Sequence, residues 1–84
     1  MDIQKNHIEN AIKAMIQIGV IKFRSLSKYH NVADFYVTSD IFTDKTFISS
    51  VYEDDWNNCP ARAVAAELTS LIIDGKLEFI PLKE

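Results

Sequence analysis

The sequence has few of the residues that build disulfide frameworks and flexible linkers, and it has no long apolar run. Its 84 residues include one cysteine, two glycines and two prolines. A single cysteine, Cys59, cannot form an internal disulfide, and this favours a reducing compartment. No apolar run approaches the roughly 20 residues that span a bilayer, and the first residues lack the basic and apolar segments of a signal peptide. We therefore expect a cytoplasmic protein that does not act at a membrane.

The motifs of established catalytic mechanisms are also missing. The sequence has no G-x-S-x-G, no P-loop, no dinucleotide-binding glycine pattern and no H-E-x-x-H. A metal site built from His7, His30 and Cys59 would have to bring three separated segments together, so both histidines are interpreted as solvated. Cys59 is interpreted as a small buried residue near a helix cap. We therefore expect no enzymatic activity, no cofactor and no metal.

The composition is that of an ordinary folded protein, with 48% hydrophobic and 25% charged residues, and it predicts a single domain over residues 1–84. The net charge of −3 is unevenly spread. Residues 1–30 carry five basic and two acidic groups, whereas residues 31–84 carry four basic and ten acidic groups. An acidic surface favours a basic protein partner over direct nucleic-acid binding, although solubility alone explains the same charge.

The most regular pattern lies between Pro60 and Pro81. Four apolar residues recur there at the spacing of one helix face: Val64, Leu68, Leu71 and Ile72. Pro60 suits the first helical position, with Asn58 or Cys59 as the cap, and Gly75 suits the positive φ that follows a helix. Alternation from Leu77 to Pro81 then predicts a final strand.

The earlier part of the chain predicts one helix and three strands. The helix covers Ile3–Ile18 and ends at Gly19. The strand segments are Val20–Leu26, Asp34–Ser39 and Thr46–Tyr52, separated by turns at Ser27–Asn31 and Asp40–Asp44. Glu53–Asn58 is predicted to be a polar loop. The predicted fold is α+β in the order α-β-β-β-α-β, an antiparallel sheet with two helices packed on one face.

Three carboxylates adjoin the only tryptophan in Glu53-Asp54-Asp55-Trp56. Aromatic residues ringed by charge are typical of interface hot spots. In a meander, we expect Asp40 and Asp44 to lie near this group. The predicted partner-binding surface comprises seven residues: Asp40, Asp44, Tyr52, Glu53, Asp54, Asp55 and Trp56. The alternative is that the carboxylates stabilise the following helix while Trp56 fills the core.

Two features resemble small inhibitor proteins of bacteria and phages. Asp74-Gly75 is followed by Phe79-Ile80 and then Leu82-Lys83, and an opening helix stops at Gly19 directly before a strand. Both features are similar to the immunity proteins of colicins that cleave tRNA anticodons. The central region departs from that glycine-rich family, because no glycine lies between Gly19 and Gly75. The resemblance implies an acidic inhibitor, of immunity or phage anti-defence type, and assigns no binding residue.

We therefore predict a non-enzymatic acidic inhibitor in the cytoplasm of a bacterial host cell. Its partner is expected to be a larger protein with a basic surface, such as a nuclease or a nucleic-acid-handling defence complex, which it occludes. One alternative is a small winged-helix DNA-binding regulator, which requires helices over residues 43–54 and 60–74. A second alternative is a homodimer formed through an exposed strand edge.

Overall fold

The computed structural model describes residues 2–81, and side chains from Gln4 to Pro81. Its elements follow one another as α1 (Asp2–Gln17), β1 (Lys22–Tyr29), β2 (Val32–Thr38), β3 (Thr46–Tyr52), α2 (Glu53–Asn58) and α3 (Pro60–Ile73). The predicted α+β class is confirmed. Within the described range, no helix combines the length and apolarity that a membrane crossing requires. Leu82 and Lys83, on which part of the family resemblance depends, lie outside this range.

The first helix ends where glycine allows the chain to turn. Gly19 has a φ of 84°, in the left-handed region that other residues avoid. The N–H groups of Val20 and Ile21 both donate to the Met15 carbonyl oxygen, at 2.9 and 3.1 Å. These bonds satisfy a carbonyl that the helix itself leaves free. The predicted helix and its stop are confirmed to within one residue.

The three strands form an antiparallel meander in the order β1-β2-β3, as predicted. β1 runs to Tyr29, so the predicted turn over Ser27–Asn31 is wrong except for its last two residues. His30 and Asn31 have φ values of 51° and 65°, the pattern of a tight two-residue hairpin turn. A turn this short lets the strand continue through Lys28. The irregularity of β1 lies between Ser25 and Lys28 instead.

β3 is a strand with one half-buried and one exposed face. Phe47, Ser49 and Val51 are half-buried, whereas the residues between them are exposed. Seven consecutive residue pairs join β3 to β2 without a shift in register. The helix that the winged-helix alternative requires at residues 46–52 is therefore absent. β-Branched and aromatic residues favour a pleated, half-buried surface over a helix here.

The core lies between one face of the sheet and the helices. Ala33, Phe35 and Val37 from β2 are fully buried, as are Val64 and Leu68 from α3. Each of these α3 positions belongs to the apolar stripe predicted from the sequence. Partly buried Leu71 and Ile72 extend the same stripe at the edge of the cluster. The helical pattern of α3 thus positions the helix against the sheet.

The predicted final strand is wrong. After Gly75, Phe79 makes only an isolated bridge to Phe42, in the loop between β2 and β3. Its flanking bonds are short, with Thr43 N–H donating to the Glu78 carbonyl oxygen at 2.9 Å. The ladder cannot grow because the partner is an irregular loop and not a strand. The bridge does cover Phe42, which is fully buried with its ring centroid 5.4 Å from that of Phe79.

α2 replaces the predicted polar loop. Its first turn carries Glu53, Asp54 and Asp55, whose negative charges favour the positive end of a helix. Trp56 lies one position further on and is the buried residue of this helix. The polar composition of Glu53–Asn58 predicts a loop. The segment forms a short amphipathic helix instead, because its one apolar residue, Trp56, is buried.

Candidate protein-binding surface

Two exposed carboxylates and an exposed tyrosine meet at the junction of β3 and α2. Tyr52 is 73% exposed and precedes the helix, and Asp54 and Asp55 are also exposed. Glu53 is half-buried, and its N–H donates to the Asn31 carbonyl oxygen at 2.7 Å. Within residues 2–81 none of these carboxylates forms an ion pair. The corner of Tyr52, Glu53, Asp54 and Asp55, called here the acidic corner, therefore presents negative charge beside an aromatic ring.

Trp56 does not belong to this surface. It is only 7% exposed. Its ring stacks on Phe35 at a centroid distance of 5.8 Å and an angle of 23°, and meets Phe23 edge-on at 5.7 Å and 82°. The prediction that Trp56 belongs to the binding surface is therefore wrong. Trp56 lies on the inward face of α2, where it packs against β1 and β2. The alternative, that Trp56 fills the core, is the arrangement observed.

Asp40 and Asp44 also lie apart from the acidic corner. Both are exposed in the loop that joins β2 to β3. The register runs from Thr38 opposite Thr46 at that loop to Val32 opposite Tyr52 at the other end. Six residue steps along a strand separate the two ends by roughly 20 Å. The prediction that a meander brings these aspartates near the corner is wrong, because a hairpin places its loop at the far end.

A groove adjoins the acidic corner, and the sequence analysis did not identify it. It has a volume of about 790 Å³ and lies between the outer edge of β3 and the helices. Residues 50–52 form one wall. Asp55, Cys59 and Arg62 lie at the α2–α3 junction, and Ala66 and Glu67 continue along α3. No sequence pattern indicated this groove, because its lining comes from five elements, α1, β2, β3, α2 and α3, that only the tertiary fold brings together.

Negative charge predominates in the groove. Its lining holds the carboxylates of Glu9, Asp55 and Glu67 against the single guanidinium of Arg62. Glu9 is partly compensated, since its Oε2 lies 3.6 Å from Lys13 Nζ. Glu67 Oε2 accepts a hydrogen bond from Ser49 Oγ at 3.4 Å. The excess of carboxylates favours a cationic ligand over an anionic one.

The other candidate residues, Cys59, His7 and His30, are all exposed. Cys59 is exposed at the N-cap of α3, so its predicted burial is wrong. Its extended backbone at the junction of two helices turns the residue outward, and its side chain makes no cap bond. His7 is exposed on α1, and the ring of exposed His30 lies against that of Tyr29 at a centroid distance of 3.9 Å and a tilt of 60°. Across residues 2–81 no three acidic, histidine or cysteine side chains are grouped as metal ligands would be.

Comparison of the chain with protein-family models, with curated proteins and with solved structures gave no match.

Proposed function

We propose that this chain is a non-enzymatic acidic inhibitor that binds and occludes a larger protein with a basic surface. The proposed setting is the bacterial cytoplasm, and the proposed partner is a nuclease or a nucleic-acid-handling defence complex. Its carboxylates engage the Lys and Arg side chains with which such a partner holds phosphate. An aromatic side chain at the same surface provides apolar contact area.

The observation that carries the proposal is the acidic corner. Asp54 and Asp55 are exposed, form no ion pair within residues 2–81, and adjoin Tyr52, which is 73% exposed. A partner therefore meets carboxylates with no internal salt bridge to break. Tyrosine contributes a rigid ring with little loss of conformational entropy, and it is enriched at binding hot spots. The negative groove beside the corner extends the same charge over a larger surface.

Charge of one sign at an exposed surface acts first on the association rate. It speeds the encounter with an oppositely charged partner, and salt screens the effect over about 8–10 Å. Binding should therefore weaken as salt is raised. Asp40 and Asp44 lie roughly 20 Å from the corner along the strand direction, so they should contribute little to the contact itself.

The test compares two double variants with the same change in charge. Asp54→Lys with Asp55→Lys reverses the acidic corner, and Asp40→Lys with Asp44→Lys reverses two aspartates at the opposite end of the hairpin. The partner is first isolated on the immobilised wild-type chain at low salt and identified by mass spectrometry. Affinities of the purified pair are then measured by isothermal titration calorimetry, and inhibition is measured in the partner's own activity assay.

We expect the corner variant to bind about 100-fold more weakly and the distal variant to bind within about threefold of wild type. Circular dichroism should show both variants folded, with the corner variant losing about 1–2 kcal/mol from its helix N-terminus. Equal losses in the two variants would mean that net charge alone governs binding. A captured partner that is bound but not inhibited would remove the inhibitory function.

A further inference from the structure

The two edges of the sheet differ in how they are protected. β1 carries Lys22, Arg24 and Lys28 and has an irregularity in its register, both of which discourage a further strand from pairing. β3, the other edge, has no charged residue, no proline and an unbroken register. Within residues 2–81 no other strand pairs with the outer side of β3. β3 is therefore a sheet edge without the usual protection.

The hydrogen bonds of the hairpin show which backbone groups of β3 face outward. Ser39 N–H donates to the Lys45 carbonyl oxygen at 2.9 Å, and Glu53 N–H donates to the Asn31 carbonyl oxygen at 2.7 Å. Hydrogen-bonded pairs alternate along an antiparallel ladder, so the odd-numbered residues of β3 bond to β2. The even-numbered residues direct their N–H and C=O groups to the free edge: Thr46, Ile48, Ser50 and Tyr52.

Two of these four free-edge residues also line the negative groove. They are Ser50 and Tyr52, and the lining continues with the α3 residues Ala66 and Glu67. A strand added at this edge would alternate its side chains between two environments. One set would enter the groove, where carboxylates outnumber Arg62. The other set would lie on the outer sheet face beside Ile48, which is 62% exposed, and Tyr52.

We propose that β3 binds an extended basic segment of the partner by strand addition, with its Lys or Arg side chains in the groove and its apolar side chains on the outer sheet face. The inference rests on the proposed function and specifies the chemistry and conformation of the bound segment. Backbone bonds at Ile48, Ser50 and Tyr52 supply affinity, and the groove carboxylates select positive charge. A second copy of this chain is less suitable, because its own β3 carries no basic residue to meet the groove carboxylates.

The probe is a peptide of alternating lysine and valine, of about seven residues to match the length of β3. A peptide of alternating glutamate and valine is its control. Binding is followed by NMR, with amide hydrogen exchange of the ¹⁵N-labelled chain as the main measurement. We expect the basic peptide to slow exchange about tenfold or more at Ile48, Ser50 and Tyr52. The acidic peptide should leave their exchange unchanged.

A set of serine variants isolates the backbone contribution. Ser50→Pro removes the outward N–H and also the bond from Ser50 Oγ to Asp34 Oδ1 at 2.6 Å, whereas Ser50→Ala removes only the side-chain bond. Ser25→Pro places proline on the other sheet edge, where an edge strand also tolerates it. We expect Ser50→Pro to weaken peptide binding about tenfold, while Ser50→Ala and Ser25→Pro bind like wild type.

Each alternative outcome contradicts a distinct part of the proposal. Peptide binding that shifts only the acidic corner, without slower exchange at the three edge amides, would reject strand addition and leave the proposed function standing. Slow exchange at these amides without peptide, together with a dimer in analytical ultracentrifugation, would identify a second copy as the occupant. Equal binding of the acidic peptide would reject charge selection by the groove. No binding of the basic peptide, combined with an unaffected Asp54→Lys/Asp55→Lys variant, would reject both proposals.

Discussion

Truncation of Trp56 is expected to destabilise the fold severely. Its ring is 7% exposed and contacts Phe35 and Phe23 at centroid distances of 5.8 and 5.7 Å. Burial of a large aromatic side chain contributes about 2–3 kcal/mol, and each aromatic pair adds roughly 0.5–1.5 kcal/mol. Trp56→Ala should therefore cost about 3–5 kcal/mol, in line with measured aromatic-to-alanine substitutions in cores.

This loss is large relative to the whole stability of such a chain. At about 0.05–0.15 kcal/mol per residue, 84 residues give a total of roughly 4–12 kcal/mol. With an m-value of about 1 kcal/mol/M for a small domain, the urea midpoint should fall by roughly 3 M or more. Far-UV circular dichroism is the appropriate probe, because Trp56 is the only tryptophan and its fluorescence is lost.

Trp56→Phe is the matched variant, since it keeps one aromatic ring between Phe35 and Phe23. It should cost roughly 1–2 kcal/mol, less than half the effect of alanine. A loss below about 1 kcal/mol for Trp56→Ala would refute the packing argument. If that variant folded normally and lost partner binding instead, the tryptophan would belong to the interface that the sequence alone suggested.

Two further predictions concern residues with positive φ. Gly75 has a φ of 76°, and a Cβ added there would meet no atom within 4 Å, so Gly75→Ala should cost only the backbone strain of about 1–2 kcal/mol. Its melting temperature should fall by at least about 4 °C, and an unchanged value would contradict the strain argument. In the hairpin turn, His30→Asn with Asn31→Gly supplies the preferred pair for φ values of 51° and 65°. The melting temperature of this double variant should rise by a few degrees. A decrease would indicate that the contact between His30 and Tyr29 outweighs the turn preference.

Part of the proposed binding surface could be predicted from the sequence and part could not. Tyr52, Asp54 and Asp55 are adjacent in the chain, so any fold that exposes the segment keeps them together. The distance of Asp40 from the acidic corner depends on which end of the hairpin holds the β2–β3 loop, and composition does not encode this. The groove was missed because residues 50–52 acquire a free edge only when β3 becomes the last strand of the sheet. Local patterns predict strands, but sheet order decides which strand is an edge.

The sequence by itself determined the elements whose signals are local. The apolar stripe of α3, the glycine stops and the β-branched and aromatic residues of β3 each act within a few residues, through side-chain periodicity, allowed backbone angles and strand propensity. Only the tertiary structure decided the fate of segments whose partners are distant. Trp56 turned inward because Phe35 and Phe23 receive it, and Phe79 failed to extend the sheet because it met the irregular loop at Phe42. The polar segment Glu53–Asn58 forms α2, and the loop with Asp40 and Asp44 lies at the opposite end of the hairpin. Both outcomes depend on how the layers assemble and not on the local sequence.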